Sequence, residues 1–151
     1  MAPLIIKSSI PIKASPSKVW KVLTRPEYTK LYMFGCEVDS DWKVNSSVEW
    51  KGYEDLKETV YVKGKVVKIN PEKTLVYTTF DPQGGLPDIP ENYLSVSYDL
   101  KDQTEQTVLT ITQGDFSNVA EGEDRYSEAV KGWKTTLAEI KHLAETEDKE
   151  C

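Results

Sequence analysis

Cysteine and histidine are almost missing from this sequence: Cys36, Cys151 and His142 are the full supply among 151 residues. Two cysteines are too few for a disulfide framework. Scattered as they are around one imidazole, they offer no cluster of N and S ligands at zinc spacing. Nucleophilic catalysis lacks parts for the same reason, since Cys36 has no base near it in the chain and no serine sits in a G-x-S-x-G elbow. Phosphate loops are absent too. Gly64-Lys65 runs into Val66 inside a strand pattern, and Gly84-Gly85 has neither the lysine nor the following helix. The residues therefore assign no catalytic group, no metal and no cofactor; Cys36 reads as a small half-buried hydrophobe and His142, between Lys141 and Leu143, as a surface residue.

Long apolar runs are also lacking, and none approaches the roughly 18 residues of a membrane helix, so no membrane insertion is expected. Met1 to Lys7 carries no basic segment ahead of an apolar stretch, Gly is not second, and Cys151 is the last residue, so leader, myristoyl and prenyl signals are all unexpected and a cytoplasmic location follows. The sequon Asn45-Ser46-Ser47 then reads as an unmodified turn. Positive charge is short: 19 basic residues face 25 acidic ones, and ten acidic against five basic residues lie between Asp115 and Cys151. An acidic chain without a basic stripe is repelled by a phosphate backbone, which excludes nucleic acid as a partner.

What the chain does have is alternation. Leu4 to Ile12 predicts a strand with Ile6, Ser8, Ile10 and Ile12 on one face. Ser15-Pro16 supplies an N-cap and first-turn proline for a short helix bearing Val19, Trp20 and Leu23, and Thr24-Arg25-Pro26-Glu27 reads as a capping box opening a second, with Tyr28, Leu31 and Tyr32. Further strands are predicted over Val38 to Trp42, Val48 to Tyr53, Lys57 to Ile69, Thr74 to Phe80, Tyr93 to Leu100 and Thr107 to Gln113. In the long one, Val60, Val62, Gly64 and Val66 read as inward and Tyr61 as outward, with the pair Val66-Val67 marking a bulge or bend. Asp81 to Asn92 is a Pro/Gly-rich loop, long for a hairpin and therefore a candidate functional segment. From Asp124 to about Glu147 the apolar residues Tyr126, Val130, Trp133, Leu137, Ile140 and Ala144 recur at helical spacing, and residues 145–151 form an acidic tail expected to fray. One domain, 1–151, of α+β class is predicted: a curved antiparallel sheet of about six to seven strands, two short helices and one long C-terminal helix. A curved sheet with one long helix to cover it leaves a cavity between them.

Element order and local motifs together resemble the helix-grip fold of the START-like and birch-pollen-allergen superfamily, and more narrowly the family named for the ATPase activator of the ninety-kilodalton heat-shock chaperone. The resemblance is carried by Ile10-Pro11-Ile12-Lys13-Ala14-Ser15-Pro16 leading into Val19-Trp20-Lys21-Val22-Leu23-Thr24, by Gly64 to Pro71 followed by Leu75-Val76-Tyr77, and by Gly132-Trp133 with Leu137. It covers nearly the whole chain. It implies a heat-shock chaperone as a partner and stress response as a setting; the activator itself has two domains, and this chain has the length of one, resembling the C-terminal part.

Aromatic residues are the remaining signal: 4 Trp, 8 Tyr and 3 Phe, with Trp20, Trp50 and Trp133 on inward faces. Their ordinary role is core. Their functional role would be to line the cavity, and the candidate binding residues are Phe34, Trp50, Val60, Val62, Tyr77, Leu94, Val96, Tyr98, Trp133 and Leu137. Phe34 and the loop from Leu86 to Ile89 would guard the mouth. The function expected is non-catalytic binding of a small hydrophobic molecule, lipid-like or aromatic. Alternatives are a chaperone-cofactor interaction module and, with Tyr77 or Tyr98 as an acid, a polyketide-cyclase-like enzyme. Among the carboxylates Glu49 and Asp99 face outward by alternation, as solvating charges.

Overall fold

The computed structural model describes residues 3–33 and 35–146. Strand β1 (Ile6–Ile12) is followed by helices α1 (Pro16–Thr24) and α2 (Pro26–Tyr32), strands β2 (Glu37–Ser40), β3 (Ser47–Glu54), β4 (Lys57–Asn70), β5 (Thr74–Thr79), β6 (Leu94–Gln103) and β7 (Gln106–Gly114), and helix α3 (Gly122–Glu145). The seven strands form one antiparallel sheet in the order β1-β7-β6-β5-β4-β3-β2. This is the helix-grip α+β architecture the sequence led to. The expectations for Phe34 and for the tail beyond Thr146 lie outside the described residues. Among the described residues no helix is long and apolar enough to cross a membrane.

Local chemistry explains most boundaries. The Ser15 hydroxyl accepts from the Lys18 amide at 3.2 Å, capping α1 ahead of Pro16. The capping box at α2 does not form. Thr24 still belongs to the last turn of α1, where its hydroxyl donates to the Trp20 carbonyl at 2.8 Å, and Arg25 takes the cap position without a side-chain bond. β3 and β4 are joined through Asp55 and Leu56, both at positive φ (51° and 66°), the twist a two-residue hairpin needs.

The long strand β4 bends in two places. Between β4 and β5 the register shifts between Val66 and Lys68, which puts the bulge where the doubled valine announced it. Between β3 and β4 it shifts again, because Trp50 pairs with Val62 while Lys51 pairs with Val60, leaving Tyr61 as the extra residue. The inward reading of Val60 is thereby overturned: past the bulge it shares the outer face with Lys51, whereas Tyr61, read as outward, packs against the core. Gly64 sits between the two bends. A Cβ there would lie 1.7 Å from the Thr78 carbonyl oxygen, so only glycine permits this approach of β5.

Helix α3 is held at its ends. Near its start Tyr126 packs edge-on against Phe116 at 5.6 Å, and near its finish Ile140 and Ala144 are buried in the core. There Glu145 accepts the Lys13 amide at 2.8 Å and Lys141 donates to the Pro11 carbonyl at 2.9 Å, covering backbone groups of the edge strand β1. Between these anchors the helix spans the concave sheet without closing on it. Val130, expected on the apolar stripe, is 43% exposed and borders a groove between α3 and β1.

Candidate functional site

The spanning region of α3 and the middle of the sheet enclose a cavity of about 230 Å³.

 A separate hollow of about 490 Å³ lies on the outer face of the sheet.

The cavity's floor is built by cross-strand rows. Tyr77 on β5 pairs with Val96 on β6, which pairs with Gln113 on β7, and one step along, Leu75, Tyr98 and Ile111 are aligned in the same way. Residues paired across an antiparallel sheet present their side chains to the same face. Trp50 and Val62, paired across β3 and β4, extend the wall, and Ala129, Gly132, Trp133 and Thr136 cover it from α3.

Four aromatic rings follow one another around this space. Trp50 and Tyr77 have centroids 5.2 Å apart, Tyr77 and Tyr98 5.5 Å, and Tyr98 meets Trp133 edge-on at 6.2 Å. The hydroxyls of Tyr77 and Tyr98 are bonded to each other at 2.7 Å. The Trp133 indole donates to Gln113 Oε1, also at 2.7 Å, and the Tyr32 hydroxyl donates to the Val22 carbonyl at 2.8 Å. Burial raises all three phenols: Tyr98 to about 12, Tyr77 and Tyr32 well above the ordinary value. They are neutral hydrogen-bonding groups at physiological pH. None of the described residues lining the cavity is a carboxylate, lysine, arginine, histidine or cysteine.

Of the residues expected to bind, Trp50, Val62, Tyr77, Val96, Tyr98 and Trp133 line this cavity. Leu94 is buried elsewhere in the core, Leu137 faces a groove between α3 and β1, and Val60 lies on the outer face for the reason given above. Met33, Thr79, Gln113, Ala129, Gly132 and Thr136 also line it and were not expected. Gln113 had a readable signal, being a polar residue in register with the inward Leu109 and Ile111.

The loop from Leu86 to Ile89 does not guard this cavity. Asp88 is bonded to Lys63 and accepts the Tyr93 hydroxyl at 2.7 Å, which ties the loop to the outer face. There Glu49, Lys63, Lys65 and Asp88 border the larger hollow. The Lys63 and Tyr93 hydrogen bonds lower the Asp88 pKa. Cys36 is buried, and burial pushes its thiol up. Among the described residues no three His, Cys, Asp or Glu side chains are grouped to hold a metal ion.

Comparison with known proteins places this geometry in a family. Residues 13–145 match the family described as Activator of Hsp90 ATPase homolog 1-like protein. The solution structure of ChR145 from Cytophaga hutchinsonii is 34% identical, with a TM-score of 0.75 over 93% of this chain and 94% of that one. The solution structure of the Aha1 dimer from Colwellia psychrerythraea is 24% identical, with a TM-score of 0.71 over 96% and 97%. DynU16, a protein in the dynemicin biosynthetic locus, shares the fold at 14% identity and a TM-score of 0.73, over 96% of this chain and 48% of its own. No curated protein matches in sequence. On the family match and the likeness to ChR145, this chain belongs to the Activator of Hsp90 ATPase homolog 1-like family.

Proposed function

We propose that the chain binds a small hydrophobic molecule, without transforming it, in the cavity between the sheet and α3. The observation that carries this reading is the aromatic series Trp50, Tyr77, Tyr98 and Trp133 around about 230 Å³ of space. Well-packed interiors leave few voids larger than a water molecule, and an apolar cavity of about 150 Å³ already takes up benzene. A ligand burying about 300 Å² there gains roughly 7 kcal/mol gross, enough for micromolar affinity at best once ordering losses are counted. Native mass spectrometry of the freshly purified protein tests it. An added mass that vanishes on denaturation supports the reading; a bare chain that also takes up no apolar probe contradicts it.

A second reading is a chaperone-cofactor module, supported by the family description and by the exposed acidic residues Glu123, Asp124, Glu128 and Glu139 on α3. It predicts retention by the heat-shock chaperone in a pull-down, weakened by salt; no retention at low salt removes it.

A further inference from the structure

We infer that the ligand is neutral, about the size of two fused rings, and carries a hydrogen-bond-accepting oxygen that takes a proton from the Tyr77–Tyr98 pair. This rests on the cavity being a ligand site, as proposed above. Each phenol brings one O–H, and the two share a single hydrogen bond. One donates to the other, so the accepting hydroxyl keeps a proton with no acceptor among the described residues. Gln113 adds to the surplus. An indole N–H can only donate, so its bond fixes Oε1 toward Trp133 and leaves the Nε2 protons without a described acceptor. The lining thus has donors to spare. With no charged side chain among the described lining residues, an ionic ligand would be buried without a partner, which selects a neutral one. The size follows from the volume, about half as large again as a cavity that holds benzene.

The test compares alpha-tetralone with tetralin, which has the same bicyclic frame and no carbonyl, by NMR titration of the wild-type protein and of the Y77F/Y98F double variant. Replacing both hydroxyls leaves neither orphaned, so the double variant should fold. The preference for the ketone over the hydrocarbon should fall by about fivefold in the double variant. Binding of both probes with an unchanged preference overturns this inference and leaves the cavity reading standing. Binding of neither probe to the wild-type protein counts against the cavity reading and takes the inference with it. Should the double variant not fold, an NOE spectrum of the wild-type protein with alpha-tetralone takes its place: the protons beside the carbonyl should contact the Tyr77 and Tyr98 rings, and contacts from them to other cavity residues only would overturn the inference.

Discussion

Gly132 stands in the middle of α3, lines the cavity, and would have nothing within 4 Å of an added Cβ. Glycine in a helix interior is about 0.8–1 kcal/mol less favourable than alanine, and here alanine meets no clash. Gly132→Ala should therefore stabilise the protein by about 1 kcal/mol. With an unfolding entropy of about 2.1 cal/mol/K per residue over 151 residues, that raises Tm by about 3 °C. Gly132→Leu should keep part of this gain while its isobutyl group enters the cavity and blocks uptake of tetralin. Thermal unfolding followed by circular dichroism measures the first effect and ligand titration the second. A lower Tm for Gly132→Ala would refute the reasoning, because it would mean that α3 lies closer to the sheet than an open cavity allows. Full tetralin binding by a folded Gly132→Leu variant would refute the link between that space and the ligand.

Other substitutions probe the frame around the site. Tyr98→Phe alone leaves the buried Tyr77 hydroxyl without its partner and should cost about 1–3 kcal/mol in urea unfolding, while the double phenylalanine variant should be near neutral. Gly64→Ala drives a methyl into the Thr78 carbonyl and should destabilise by about 1–3 kcal/mol or more on the same measurement. Leu56, 98% exposed at φ 66°, should give about 0.5–1 kcal/mol of added stability when changed to glycine, read as a higher urea midpoint. Alkaline titration tests the buried phenols. Tyr98 keeps its proton in the folded state up to about 12, whereas an unfolded tyrosine loses it near 10.0. Its contribution is therefore intact below the lower value and declines by about 1.4 kcal/mol per pH unit between the two. Tyrosinate absorbance should show Tyr32, Tyr77 and Tyr98 among the phenols that titrate late; ordinary titration of these three would contradict their burial.

The fold was legible because its strands alternate, because α1 carries a capped apolar stripe and α3 a long one, and because Val66-Val67 betrayed one bulge. The site was legible only in part. Tyr61 breaks no pattern in the sequence, since a valine stands on either side of it, so the second bulge and the outward turn of Val60 had no local signal. Ala129, Gly132 and Thr136 share the helix face of Trp133 at spacings of four, one and three residues, but an apolar-stripe reading passes over small residues. Their smallness is what leaves the space. The loop at Leu86 to Ile89 was misplaced because the Lys63–Asp88 contact that ties it to the outer face joins residues 25 positions apart in the chain.

The most direct test of the central claim is an isotope-filtered NOE spectrum of the protein with bound tetralin. The account predicts contacts from the ligand to the rings of Tyr77, Tyr98 and Trp133. Contacts to Lys63 and Tyr93 in the outer hollow instead, or no contact to any cavity residue, would contradict it.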